Sequence, residues 1–372
     1  MAQLRKGSPA EVGMSTERLA RAAKLLEAEV DGGAVGAAQI LVARNGQIVL
    51  HEAYGRLSPD ASAPAVKTDS VFLLASITKP VTACALMLMV ERGKVKLDDP
   101  VNRYLPEFTG GERGKILVRD LLRHTSGLPD MLPENIDLRR VNAPLSDFVQ
   151  HTFKTPLLFS PNTECRYQSM GILLAAEIVE RTAGMRLRDF EKREIFDPLG
   201  MKASSLGLGG RRIADLVRCG SSPNANPADE ASFGPNSPYW RDFGCPWGGM
   251  HSNTRDVATL LQTFLDGGTF ADRRIFSATT VQAMISDQNQ AIGTPWGLGW
   301  ALGRSKSWNA FGEGVSPTAF GHAGATGTVA WADPRTRVVC VILTNRPYAL
   351  DDGKLLRAVS TAVAGAVGDV KQ

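Results

Sequence analysis

The sequence predicts an α+β fold: an antiparallel sheet flanked by helices and assembled from both ends of the chain, with a mostly α-helical domain inserted between them. Three observations predict it. Apolar, β-branched runs around a tight-turn signal lie near the N-terminus, comparable runs recur beyond residue 296, and the stretch between them carries apolar segments of helical length. The chain has 372 residues, 43% hydrophobic and 22% charged, which is the composition of a soluble globular protein with length for one large or two intimately packed domains. Residues 1–75 with 250–372 are assigned to the sheet domain and residues 76–249 to the helical one. A cleft between two such halves is a natural place for a site.

The elements follow in order. Ser15 to Val30 reads as an amphipathic helix, with Ser15 or Thr16 as cap and Glu17 in the first turn. Ala38–Arg44 and Gln47–Tyr54 flank Asn45-Gly46, a pair that tolerates the positive φ of a type I′ hairpin turn. Ser76 to Arg92, Val118 to His124, Ser169 to Thr182 and Asp256 to Leu265 read as helices. Gly207 to Gly249 is rich in Gly, Pro, Asn and Ser, with Tyr239, Trp240, Phe243 and Trp247 interspersed, and reads as one long loop of the kind that is usually functional or mobile. Trp296–Leu302, Thr326–Ala332 and Thr336–Leu343 read as strands, with Asp333-Pro334-Arg335 as a turn. Gly353 to Val367 closes the chain as a helix.

Bulk properties exclude several classes of partner. A net charge of +4 without a basic tract gives no reason to expect nucleic acid or an anionic membrane. Met1 to Pro9 has no apolar h-region, and no uncharged stretch reaches membrane-spanning length. The five cysteines (Cys84, Cys165, Cys219, Cys245 and Cys340) are odd in number and scattered, which suggests reduced thiols rather than a disulfide framework or a zinc site. Together these lead us to expect a cytoplasmic protein.

Ser76-Ile77-Thr78-Lys79 carries the chemistry. The serine stands at the start of a long apolar helix, where unpaired N–H groups favour a developing negative charge. Lys79 lies about one turn on, so its amine can reach the hydroxyl, and burial can leave it neutral enough to accept a proton. Serine with a neutral lysine is a nucleophile with its base. The spacing alone is weak, because roughly one chance Ser-x-x-Lys is expected in a chain this long. Tyr167, just before the helix that begins near Ser169, is a second proton carrier, a phenol whose pKa a nearby ammonium would lower. In Gly321-His322-Ala323-Gly324-Ala325-Thr326-Gly327 the small residues open a probable strand, the glycines let a substrate approach, and an edge N–H can serve an oxyanion.

These segments resemble, in order, the Ser-x-x-Lys, Tyr-x-Asn (or Tyr-x-Ser) and Lys-Thr-Gly (or His-x-Gly) motifs of β-lactamases and penicillin-binding proteins. The branch is that of class C β-lactamases, family VIII carboxylesterases and D-aminopeptidases. Ser76–Lys79, Tyr167-Gln168-Ser169 and His322-Ala323-Gly324 carry the match. Leu121–Leu128, Pro198–Met201, Gly248–Ser252 and Gly297–Trp300 accompany it, and the likeness runs from about Ser15 to Asn345. The resemblance implies a β-lactamase/transpeptidase-like fold and acyl transfer without metal or organic cofactor. Ser76 would attack a carbonyl, Lys79 and Tyr167 would handle the proton, and the N–H groups of Ser76 and Ala325 would hold the oxyanion. His124 and His251 fall within these motifs as structural residues. No Gly-x-Ser-x-Gly elbow occurs, which argues against a Ser-His-Asp triad.

Two departures bear on substrate. Ser169 stands where β-lactamases place asparagine, and its hydroxyl is a shorter clamp for an amide. His322 replaces the lysine of Lys-Thr-Gly and attracts a carboxylate less at pH 7. Small-molecule esters of small or medium acids are therefore the expected substrates, with Ser169, His322, Gly324, Trp240, Phe243 and Arg346 as candidate substrate contacts. A β-lactamase, a D-amino-acid amidase or peptidase, an acyltransferase and a catalytically idle binding module are the alternatives. The sequence fixes no oligomeric state.

Overall fold

The computed structural model describes residues 4–222, 225–305 and 310–368. The first three residues of the N-terminal reading and positions 223–224 of the expected loop lie outside them. Seven strands form the main sheet: β1 (Arg5–Lys6), β2 (Ala37–Arg44), β3 (Gln47–Gly55), β4 (Ala301–Leu302), β5 (Phe320–Gly324), β6 (Thr328–Asp333) and β7 (Val338–Thr344). Their order across the sheet is β1-β3-β2-β7-β6-β5-β4. All pairs are antiparallel except β1–β3. The two ends of the chain meet where β7 pairs with β2, Val338 opposite Arg44 through Thr344 opposite Ala38. This is the mixed α/β architecture expected of the β-lactamase/transpeptidase-like fold.

Period-2 alternation gives the sheet two apolar faces. Ala38, Ile40 and Val42 of β2, with Trp331, Cys340 and Ile342, pack on α1 (Thr16–Asp31) and on the C-terminal helix Lys354–Ala364 through Leu19, Leu26, Val359 and Val363. Leu41 and Ala43, with Ala330, Val339 and Val341, face the other way. They join a larger core containing α2 (Thr78–Glu91), α3 (Met170–Ala183) and α4 (Thr254–Leu265). We call the C-terminal helix α5. The caps follow the sequence: the Ser15 hydroxyl accepts from the Arg18 amide at 3.2 Å and Asn253 caps α4. Asn45 (φ 52°) and Gly46 (φ 75°) make the turn between β2 and β3. No helix among the described residues is long and apolar enough to cross a membrane.

Four expectations change. Trp296–Leu302 is not a strand beyond Ala301–Leu302. Gly299 has φ 84°, and a Cβ there would stand 2.4 Å from that of Ala83, so the segment is a tight turn pressed on α2. The run from His322 onward is a hairpin instead of the opening of one strand: β5 ends at Gly324, and Ala325-Thr326-Gly327 turns into β6 with Gly327 at φ 94°. The stretch 207–249 holds two short helices, Pro227–Phe233 and Pro238–Phe243, capped by Asn226 and Ser237. Finally, Ser76 sits in a 3-10 turn, Ala75–Ile77, leading into α2.

Candidate active site

α2 is apolar all round and buried from Thr78 to Met89, so a lysine in its first turn is taken out of water with the rest of the helix. Pro80 is tolerated in that turn because its missing N–H has no helical partner there. Lys79 is 1% exposed, and its Nζ donates to Ser76 Oγ at 3.0 Å and to the Trp247 carbonyl at 3.1 Å. Burial lowers its pKa from 10.5 to about 8, against the opposing pull of the Asp130 charge. At pH 7 about a tenth of the amine is therefore unprotonated and able to take a proton from the serine.

The turn that presents Ser76 is clamped from both sides. Ala75 is a non-glycine residue at φ 49°, a conformation sustained only where neighbours over-determine it. On one side Thr78 Oγ1 donates to the Ala75 carbonyl and accepts from the Met250 amide. On the other, the Thr326 and Thr328 hydroxyls donate to the Leu73 and Leu74 carbonyls at 2.7 and 2.8 Å. Gly324 lies between: a Cβ on it would come within 2.1 Å of the Leu74 carbonyl. Its bare backbone thus makes room for the Ser76 turn, which corrects the expectation that it makes room for substrate. β4 pairs with β5 only at Phe320 and Gly321, so the edge from His322 onward faces that turn. Ser76 and Ala325 line one cavity of about 310 Å³.

Tyr167 is hydrogen-bonded to the Ser76 side chain, and Lys79 Nζ stands 4.6 Å from the centre of its ring. The sequence led us to expect a lowered phenol pKa. The structure reverses this: the hydroxyl is shielded from solvent, and burial pushes its pKa well above the ordinary value. The ammonium lies over the ring instead of beside the oxygen, so desolvation dominates. At neutral pH Tyr167 is therefore a neutral phenol, able to donate a proton rather than a ready base.

The Leu121–Leu128 segment fixes that tyrosine. His124, at φ 63°, packs its ring 4.8 Å from Tyr167 and 4.7 Å from Trp296, and its Nδ1 accepts from the Gln168 amide at 3.3 Å. The Ser126 hydroxyl donates to Gln168 Oε1 at 2.6 Å, and the Gln168 amide group donates to the Asp120 carbonyl. Asp120 is itself paired with Arg123 at 2.8 Å. His251, whose Nδ1 lies 3.0 Å from the Gly207 carbonyl, is likewise built into the frame.

The remaining candidates divide. His322 is fully buried, its Nδ1 2.7 Å from the Ala323 carbonyl and its ring 5.9 Å from Tyr167. Burial and the Lys79 charge lower its pKa to about 3, so it is a neutral imidazole at every working pH. Ser169 is 1% exposed and donates its hydroxyl to Asp130 at 2.6 Å, which leaves that hydroxyl committed to a carboxylate. Trp240 lines the cavity. Phe243 does not: it is buried among Phe148, Tyr239, Trp240 and Trp247, because the helix carrying it turns that face inward. Arg346 also lies elsewhere, donating to the Ala34 carbonyl at 3.2 Å, beside Asp351 and Glu29, in a separate hollow. Asn345 holds the Gly36 and Ala37 amides. Two residues were missed in the sequence, Asp130 and Arg139, and Trp247, read only as one of the loop aromatics, holds Lys79 through its carbonyl. Asp130 lies two residues beyond the Leu121–Leu128 segment; Arg139 carries no motif.

A serine at the mouth of an apolar helix, with a buried amine and a phenol on its hydroxyl and no metal-binding cluster among the described residues, is the frame of a serine β-lactamase-type fold. The sequence profile described as Beta-lactamase matches residues 22–364, and the chain belongs to that family. A protein of Escherichia coli O157:H7, provisionally named a D-alanyl-D-alanine carboxypeptidase, is 30% identical over 378 residues, which cover 93% of this chain and 86% of that one. Among solved structures, EstCE1, a hydrolase with promiscuous acyltransferase activity, superposes with a TM-score of 0.76 at 22% identity, covering 94% of this chain and 99% of its own. A family VIII carboxylesterase gives 0.74 at 21%, covering 94% and 98%. At those identities the two structures speak for the fold.

Proposed function

We propose that the protein is a serine hydrolase that cleaves carboxylic esters of small to medium acyl groups through an acyl-enzyme on Ser76. The observation that carries this reading is the 3.0 Å contact between Ser76 Oγ and a buried Lys79 whose pKa is about 8. Neutral Lys79 takes the serine proton as Oγ attacks the ester carbonyl. The Ser76 and Ala325 amides stabilise the oxyanion. Tyr167, still protonated, passes a proton to the departing alcohol and recovers one from Lys79. Water then attacks the acyl-enzyme with the same groups acting in reverse.

The preference for esters has its own support. The two positions that depart from the β-lactamase pattern offer no cation to a β-lactam or D-alanyl peptide carboxylate: His322 is neutral, and the Ser169 hydroxyl is committed to Asp130. Alkoxide leaving groups also need less help than amines. A second reading, a D-amino-acid amidase or peptidase, is favoured by the name of the 30% identical relative. The test is one panel: p-nitrophenyl esters, nitrocefin and D-amino-acid amides under the same conditions, with a serine-reactive phosphonate mapped by mass spectrometry. We expect labelling at Ser76 and fastest turnover of an ester. Labelling at another serine sinks the mechanism, and nitrocefin or an amide outrunning every ester sinks the substrate class.

A further inference from the structure

We propose that Arg139 binds a carboxylate carried on the acyl part of the substrate, so that the preferred substrates are half-esters of dicarboxylic acids. This rests on the Ser76 hydrolase reading and adds to it the identity of the acyl group.

Arg139 lines the same cavity as Ser76 and Ala325. Its guanidinium stacks on Trp240, 4.1 Å from the ring centre, which holds it in one orientation at small entropic cost. Of its five N–H donors, one Nη2–H reaches only the Met131 thioether, at 4.0 Å, and the buried Nε has no partner. The next residue shows what is missing. Arg140 is paired with Asp229 at 3.0 Å and Asp137 at 3.6 Å, whereas among the described residues no carboxylate lies within the 4.0 Å ion-pair distance of Arg139. Glu230, the carboxylate on the cavity wall, is therefore not its counter-ion. Burial lowers the pKa of Arg139, and the groups opposing that are Cys245 and Tyr239. A partly buried guanidinium, stacked on Trp240 in the wall of the cavity that Ser76 also lines and without a carboxylate partner among the described residues, is a ready fork for a carboxylate.

The reaction itself is unchanged. Ser76 Oγ bonds to the acyl carbon, the ester C–O bond breaks, the alcohol leaves with the proton, and water releases the free dicarboxylic acid. What changes is the end from which charge is read. In the resembled enzymes a lysine on the strand holding His322 attracts a substrate carboxylate; here that strand is neutral and the cation stands on the far wall.

The test compares hydrolysis of monoethyl adipate with that of ethyl hexanoate, followed by release of acid at constant pH, in the wild type, Arg139→Gln and Arg139→Lys. We expect kcat/KM to favour the half-ester by about tenfold or more. That ratio should collapse in Arg139→Gln through a raised KM and recover in part in Arg139→Lys, with circular dichroism confirming the fold of each variant. Equal rates for the two esters, a ratio unmoved by Arg139→Gln, or turnover of neither while p-nitrophenyl butyrate is still cleaved, would each overturn the inference alone. Absence of all ester turnover together with no labelling of Ser76 would instead overturn the hydrolase reading.

Discussion

Around Ser76 the polar groups are buried, tied to backbone carbonyls and carried on regular elements: Lys79 on α2, Tyr167 at the entry to α3, Thr326 and Thr328 on the β5–β6 hairpin. The opposite wall of the cavity is of another kind. Trp240 and Arg139 each lie on a six-residue helix, Glu230 lies on a seven-residue one, and Ser222 comes from irregular chain. The first region holds the Ser76 turn from both sides by hydrogen bonds and so suits bond making. The second offers charge and aromatic surface on short supports and so suits discrimination. On the proposed reading, chemistry and selectivity are housed in separate kinds of structure.

The comparison breaks first at the nucleophile. Ser76→Ala and Lys79→Ala should each lower ester kcat by about 10³-fold or more while far-ultraviolet circular dichroism stays native. In the wild type, kcat/KM should climb about tenfold per pH unit below pH 8 and level off above it, since Lys79 must be neutral to act. No falling limb from Tyr167 is expected nearby, because its phenol stays protonated. A profile flat from pH 6 to 9 would remove Lys79 as the base.

Gly324→Ala tests the clamp. Its Cβ would drive into the Leu74 carbonyl, so we expect a loss of about 1–3 kcal/mol in stability by denaturant titration. The displaced Ser76 turn should cost about 10²-fold in turnover. Native values in both would show that the hairpin does not hold the nucleophile.

Lys79 also costs stability. Its folded-state pKa of about 8 lies below the 10.5 of an exposed lysine, so between those pH values the unfolded chain holds a proton that the folded one has released. The cost, on the order of 3 kcal/mol, is fully present below pH 8 and fades as pH rises through that window. Lys79→Met should therefore melt a few degrees above wild type at pH 7, with the gap closing toward pH 10.5. A gap independent of pH would deny the burial argument. On the selective wall effects should be smaller: Trp240→Ala should raise KM about threefold by unstacking Arg139. Arg346→Ala, in its separate hollow, should leave ester turnover within about twofold.

The regions also differed in legibility. Helix and strand periods, the Asn45-Gly46 turn and the Ser15 cap are local, so they could be read directly. Ser76, Lys79 and Tyr167 were legible as a motif, but the phenol's raised pKa depends on burial by distant residues, which no spacing reveals. The selective wall was misread where composition hid local signals. Asn226-Pro227 and Ser237-Pro238 are helix starts, cap followed by proline, inside a stretch that otherwise looks like loop. Phe243 and Arg346 were misplaced for a different reason: which way a side chain turns from a short helix or a strand end is decided by tertiary packing. Arg139 has no motif, and only the lack of a carboxylate near it, a fact of three dimensions, marks it out.

The pairing of β2 with β7 has a consequence in time. Residues near position 40 find their sheet partners only when residues near 340 have been made. At a synthesis rate of roughly 5–20 residues per second, Ser76 and Lys79 leave the ribosome roughly ten to fifty seconds before Ala325. Throughout that interval the nascent chain carries the proposed nucleophile and base without the Ala325 amide and without the hairpin that seats the Ser76 turn. On the proposed mechanism the last strands to be translated complete the site, and a chain that stops short of them is expected to turn over no ester.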